Sequence, residues 1–259
     1  MMRHRILLAL FLILICESSL LAQNQYNISQ FTHETADFVK QPGQWRGNDW
    51  LKLGAITAGT VLLMQVDQPV RDAVLRDKGR YYHSVPIEAG RVWGEWYTPP
   101  IIAGAFGLHG WLKDNTSSKK IGFEMVQASV YSEAVTQTLK IVFGRARPYE
   151  NKGAFSFHPF NISDFGFHSL PGGHNTNGWA MSTVLSRNAH SKALKILAYV
   201  PAVLTFVSRV YQDQHWTSDD FLGATIGYVV ASWVVDLHEK KESTVNVSAI
   251  YPFTVSIKF

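Results

Sequence analysis

The sequence predicts an all-α protein, a helical bundle of about six core helices that ends in a short C-terminal β-strand or hairpin. Three observations carry this. From Gly122 to Phe143 apolar residues recur at helical spacing through Met125, Ala128, Val135, Leu139 and Val142. Further apolar runs are bounded by cap-forming residues or by Gly and Pro, as helix ends are. Strict alternation appears only in the last stretch, where Val245, Val247, Ala249, Tyr251, Phe253, Val255, Ile257 and Phe259 occupy every odd position.

Taken in order, residues 1–22 open with Arg3, His4 and Arg5, continue uncharged from Ile6 to Ile15 and close at Leu20-Leu21-Ala22. Charge, length and placement read as a secretory signal peptide. Cys16, the single cysteine, falls inside it, so its removal leaves a chain held by packing without disulfides or thiolate metal sites. Residues 23–47 form a polar N-terminal arm broken by Pro42-Gly43, with a short helix from Ser29 to Lys40 that can lay Phe31, Phe38 and Val39 against a neighbour. A helical domain follows over 48–240. Asn48-Asp49 offers a cap for the first core helix, Trp50 to Val66.

Asp67 to Pro100 is expected to be irregular because Pro69, Gly79, Pro86, Gly90, Gly94, Pro99 and Pro100 interrupt it. Its Tyr81, Tyr82, Trp93, Trp96 and Tyr97 have polar tips, which suit a pocket mouth, a membrane interface or ordinary packing over the core. Later helices are expected from Pro100 to Leu112, from Gly122 to a stop at Gly144, from Asn175 to Arg187, from Lys195 to Tyr211 and from Asp219 to His238. Pro201 falls where it either kinks a helix or opens one. In the last of them Gly223, Ala224, Thr225 and Gly227 allow a neighbour to approach closely. The tail, 241–259, reads as a strand or a hairpin bent at Pro252, packed as an edge ribbon on the helices or a second chain.

An apolar fraction of 46% supports a core, while charged residues make up only 17%. The net charge of +4 is scattered and forms no nucleic-acid stripe, so no nucleic-acid partner is expected. It supports mild attraction to anionic headgroups or phosphate esters. The uncharged runs Leu53–Val66, Trp96–Leu112, Ile196–Ser208 and Phe221–Val235 fall short of the ~20 residues of a membrane span. The expectation is an exported periplasmic or envelope-associated protein with peripheral membrane contact; an integral form is the alternative.

Chemistry concentrates in three places. His215 and Asp219 are four apart where a polar loop gives way to the run Phe221–Val235, so on a nascent helix the carboxylate can orient the imidazole as an activated histidine nucleophile requires. Arg209 can return a fork of donors to the same point. Lys140 lies in the last turn before Gly144, and Arg147 lies beyond it, held extended by Pro148; Arg145 is basic and close. Gly172-Gly173 opens a helix whose free amides make an anion seat, with His174 at its edge. His158, Asp164, His168 and His174 match no zinc spacing, and no metal site is assigned.

These stretches read K-x6-R-P at Lys140, P-G-G-H at Pro171 and S-R-x5-H-x3-D at Ser208, in that order. From Lys140 to Asp219 the chain resembles the type 2 phosphatidic acid phosphatase family, which includes bacterial acid phosphatases, lipid phosphatases and vanadium-dependent haloperoxidases. The resemblance implies phosphate held by Lys140, Arg147, Arg209 and the Gly172 and Gly173 amides. It implies attack by His215 supported by Asp219, protonation of the leaving group by His174, and no cofactor. The implied substrate is a phosphorylated lipid or a small phosphoester, cleaved through a phosphohistidine without a metal. Where the family usually has Ser, this chain has Gly172, which keeps the amide and loses the hydroxyl. A vanadate-dependent haloperoxidase and a catalytically impaired phosphate-binding envelope protein are the alternatives.

Overall fold

The computed structural model describes residues 24–76 and 78–250. Its long helices are α1 (Ile28–Lys40), α2 (Gly47–Met64), α5 (Val85–Gly94), α6 (Thr98–Leu112), α7 (Thr116–Phe143), α8 (Gly173–Asn188), α10 (Val200–Tyr211) and α11 (Thr217–Ile250). The shorter α3 (Asp67–Leu75), α4 (Lys78–Tyr81) and α9 (Lys192–Leu197) lie between them.

Helix α8 is the spine. It packs against α7, α11, α5 and α10, so the chain wraps it on most sides. Small residues on α11 permit this: a Cβ added at Gly227 would stand 2.3 Å from the Thr176 carbonyl oxygen, so the two backbones meet without side chains between them. The core joins Met125 and Tyr131 of α7, Met181 and Val184 of α8, and Val230 and Val234 of α11. Burying each such side chain contributes roughly 1.5–3 kcal/mol.

The arm is built into the fold. Asn27 caps α1 by accepting from the Gln30 amide, and Phe38 stacks on Tyr131 with ring centroids 4.5 Å apart. Glu34 is buried; its carboxylate accepts from Gln127 and Lys241 and pairs with His238. Asp67–Pro100, expected to be irregular, is largely helical. Pro86 and Pro99 sit in the first turns of α5 and α6, where the missing N–H costs nothing because first-turn amides have no intrahelical acceptor. The predicted helix over Lys195–Tyr211 breaks between α9 and α10, and Pro201 lies in the first turn of α10.

The C-terminal expectation needs correction. α11 continues to Ile250, across the first part of the stretch assigned to a strand. Helix satisfies backbone groups locally, whereas a strand needs a partner, and the one β-bridge among the described residues joins Arg145 to Phe157. The rest of the predicted strand, and the predicted signal peptide, lie outside the described residues.

The surface carries apolar side chains in quantity: Trp50, Leu51 and Leu62 of α2, Ile101 and Trp111 of α6, and Val203 of α10 are all exposed. Two stretches, Lys192–Tyr211 and Thr217–Glu242, are long and apolar enough to cross a membrane. The uncharged runs counted from sequence missed them because a few charges near the ends are tolerated in such helices.

Candidate active site

The site lies where the end of α7, the start of α8, the end of α10 and the start of α11 converge. Arg145 organises its floor. Fully buried, it donates through Nη1 to Asp219 Oδ1 at 2.7 Å and to Ser218 Oγ at 2.7 Å, and through Nη2 to Asp67 Oδ2 at 2.8 Å. Asp219 Oδ2 accepts from Ser169 Oγ at 2.5 Å and from the Trp216 amide at 2.9 Å. Its backbone carbonyl takes the Gly172 N–H at 2.8 Å. Asp219 therefore ties the motif loops together, and two expectations change.

The Gly172 amide is already spent, so it is not a free anion donor. Asp219 also makes no hydrogen bond to His215. The nearest approach is 3.9 Å from His215 Nδ1 to Asp219 Oδ2, beyond hydrogen-bond range, because α11 begins at Thr217 and His215 precedes it. The imidazole is placed by the turn itself: the His215 and Gln214 amides both donate to the Arg209 carbonyl, at 3.4 and 3.0 Å.

His215 faces His174, with ring centroids 6.5 Å apart. His174 Nε2 stands 3.5 Å from Glu95 Oε1 on α5 without a well-formed hydrogen bond, and His215 Nδ1 likewise has no partner. Burial, followed by the nearby Arg147, Lys140, His174 and Arg209, holds the His215 pKa well below the usual histidine range. Burial also lowers His174, and Arg209 adds to this while Glu95 opposes it. In the empty site both rings are neutral at neutral pH.

Three cations surround them. Lys140 donates to the His168 carbonyl at 2.8 Å, and burial, reinforced by Arg147, lowers its pKa to about 7. Among the described residues the Arg147 guanidinium makes two long hydrogen bonds, to the Phe165 and Gln214 carbonyls, both at 3.3 Å, and lies 6.0 Å from the Tyr149 ring centre. Arg209 donates to Gln212 Oε1 and Ser208 Oγ, and its Nε has no acceptor. The contrast between Arg145 and Arg147 answers a question the sequence left to the family pattern: the first is committed to two carboxylates, and the second keeps most of its donors. Next to them Gly173 begins α8. A Cβ there would meet nothing nearer than the Lys140 Cε at 3.6 Å, so the helix start is open to an approaching anion. Outside Arg209 a cleft of about 440 Å³ opens between Tyr82, Glu88, Arg91 and Gln214.

Sequence reading missed several groups here. Glu95 reaches His174 from a segment with no motif. Glu133, on the α7 stripe beside Gly173, is pushed above the usual carboxylate range by burial. Asp220 and Asn175 are fully buried, and none of their side-chain polar atoms has a hydrogen-bond partner. Asp220 follows the motif aspartate directly, and that acidic doublet was the available signal.

Residues 122–243 match the PAP2 superfamily. A lipid A 1-phosphatase of Porphyromonas gingivalis is 30% identical over 92 residues, which is 34% of this chain and 21% of that protein's length. The crystal structure of a transmembrane PAP2-type phosphatidylglycerolphosphate phosphatase from Bacillus subtilis matches with a TM-score of 0.54 and 20% identity, over 72% of this chain and 95% of that one. The likeness to the solved structure speaks for the helical fold. The likeness to the PAP2 superfamily thus covers residues 122–243, the stretch that contains Lys140, Arg147, His174, Arg209 and His215.

Proposed function

We propose that the protein is a membrane-associated phosphatase that removes phosphate from a phosphorylated lipid through a phosphohistidine intermediate, without a metal ion. The observation that carries this is the pair of neutral imidazoles, His215 buried and His174 partly so, set 6.5 Å apart and tilted among three cations whose donors are only partly used. An incoming phosphoryl group would lie against Lys140, Arg147, Arg209 and the first amides of α8. Fixed positive charge and oriented amides stabilise charge on its equatorial oxygens, the work a divalent ion does elsewhere.

His215, neutral because burial and then the surrounding cations oppose its protonation, is the nucleophile. Its free ring nitrogen attacks phosphorus as the bond to the leaving oxygen breaks. The arriving anion reverses the local field and raises the His174 pKa, so His174 can carry the proton that the leaving oxygen takes. Water then attacks the phosphohistidine, gives its proton to His174, and inorganic phosphate departs with His215 restored. Asp219 acts through the turn and through its backbone carbonyl, which accepts the Gly172 amide, holding the two halves of the cage in register.

The apolar exterior favours a lipid substrate, as does the likeness to a protein named for lipid A. Residues 1–22 favour export to the envelope. The test is phosphate release from a panel of lipid phosphates and soluble esters with EDTA present. Turnover of lipid phosphates that survives chelation and is lost in His215→Ala is expected. Dependence on added metal, or activity retained in His215→Ala, would overturn the mechanism. Carbonate extraction of envelope fractions should leave the protein with the membrane or release it from the periplasmic face, and recovery from the cytoplasm would refute export.

A further inference from the structure

Position 172 has no side chain, and the structure shows what fills the space. A Cβ built there would lie 2.3 Å from Asp220 Oδ1 and 3.2 Å from Asp220 Cα. The Asp220 carboxyl is fully buried, and neither oxygen has a hydrogen-bond partner. Asn175, in the first turn of α8, is equally buried; its side chain lies beside the Asp220 carboxyl and favours its ionisation, but among the described residues neither group makes a well-formed hydrogen bond. A buried carboxyl without a well-formed hydrogen bond is costly, so this arrangement points to a group waiting for a ligand.

We infer that Asp220, in its protonated form, donates a hydrogen bond to the bound phosphoryl group and so supplies the side-chain donor that Gly172 lacks. This deepens the phosphatase reading and rests on it. The geometry makes Gly172 and Asp220 alternatives: a side chain at 172 and a carboxyl at 220 compete for one space beside the α8 start.

Charge decides the protonation state. An ionised Asp220 would repel a phosphate dianion at short range, whereas a neutral carboxylic acid can donate to it. Burial, then the neighbouring Asp219, pushes the Asp220 pKa well above the ordinary carboxylate range. Asp219 on the same helix opposes ionisation, and Arg209 of α10 and Lys140 of α7 favour it. Phosphate removes that favour by engaging both cations. Anion binding and ionisation of Asp220 therefore exclude each other, and affinity falls as pH rises through its pKa.

Binding of phosphate and orthovanadate to the detergent-solubilised full chain tests this, by calorimetry at pH 5.5 and pH 8. In Asp220→Asn, which keeps a donor and cannot ionise, affinity at the lower pH should stay within about threefold of the parent and decline less at the higher pH. Asp220→Ala should bind about tenfold more weakly, and Gly172→Ser alone should be similarly impaired by collision. The double variant Gly172→Ser/Asp220→Ala should regain affinity to within about threefold, a non-additivity that a merely structural role would not produce. Asp220→Ala binding as the parent does, or losses that add in the double variant, would overturn the inference. Because binding is read apart from turnover, a parent that binds phosphate but hydrolyses nothing refutes the phosphatase reading alone. Normal hydrolysis with a silent Asp220→Ala refutes this inference alone, and a parent that binds neither anion refutes both.

Discussion

Helices α7 and α11 carry a buried polar cluster at each end, and the two are opposites. At one end His238 lies between two carboxylates, with Nε2 3.0 Å from Glu34 Oε2 and Nδ1 3.1 Å from Glu124 Oε1. Lys241, Gln127 and Asn188 complete the set, so every charged group there has a partner and only the Gln127 amide oxygen among these side chains is left unpaired among the described residues. At the other end His215, His174, Arg209, Glu133, Asn175 and Asp220 all leave buried polar atoms unpaired. The residue types are nearly the same. What separates them is closure: a satisfied cluster holds helices together, and an open one stores unmet bonding capacity for something that arrives.

Substitution should separate the two ends. The largest effect is expected from His215→Ala, which should lower kcat by about 10⁴-fold or more while leaving the melting temperature within a few degrees of the parent. Retained turnover would make the open end a mere packing defect. His174→Ala should cost about 10²–10³-fold on an alkyl phosphate and far less on an aryl ester whose leaving group needs no acid. Equal losses on both substrates would remove His174 from the proton transfer.

At the closed end the response should be in stability. Glu34→Ala leaves His238 and Lys241 facing a gap and should cost about 3–5 kcal/mol in denaturant unfolding, with kcat/KM unchanged at low temperature. Burial alone would raise the Glu34 pKa, but hydrogen bonds from His238, Lys241 and Gln127 hold it down at about 2. Its contribution is therefore complete above the ordinary glutamate range and lost as pH falls toward about 2, so the deficit of Glu34→Ala should shrink on acidification. A deficit that stays constant would mean the ion pairs are not its source. The smallest effect is a drift in KM. Lys140, with its pKa near about 7 in the empty site, loses charge above that value, and KM should rise by up to about tenfold per pH unit there. Lys140→Arg should flatten that limb.

Much of this was legible in the sequence, for a physical reason. Lys140, His174, Arg209 and His215 each sit at a helix end or in a turn, and such positions are marked by Gly, Pro and caps that a linear reading can find. Helix starts inside Asp67–Pro100 were misread because proline was taken as an interruption, when in a first turn it fits. The strand expected at Val245 followed alternation alone, without a neighbour to pair with. Glu95, Glu133 and Asp220 were hidden because their roles come from what packs against them. Asp219 was read as a histidine's partner. Arg145, passed over for Arg147, claims one of its oxygens, and Ser169 and the Trp216 amide claim the other.

The clamp on α1 also bears on how the chain is made. Asn24 reaches the His238 carbonyl, Tyr26 reaches Glu242, and Glu34 reaches Lys241, contacts that span more than two hundred positions. The first described helix thus gains its last polar partners only when nearly all of α11 has been synthesised. Closing so long a loop is slow relative to helix formation. Through that interval Phe31 and Phe38 can rest on Tyr131 of α7, but Glu34 is left without the Lys241 and His238 that hold its charge.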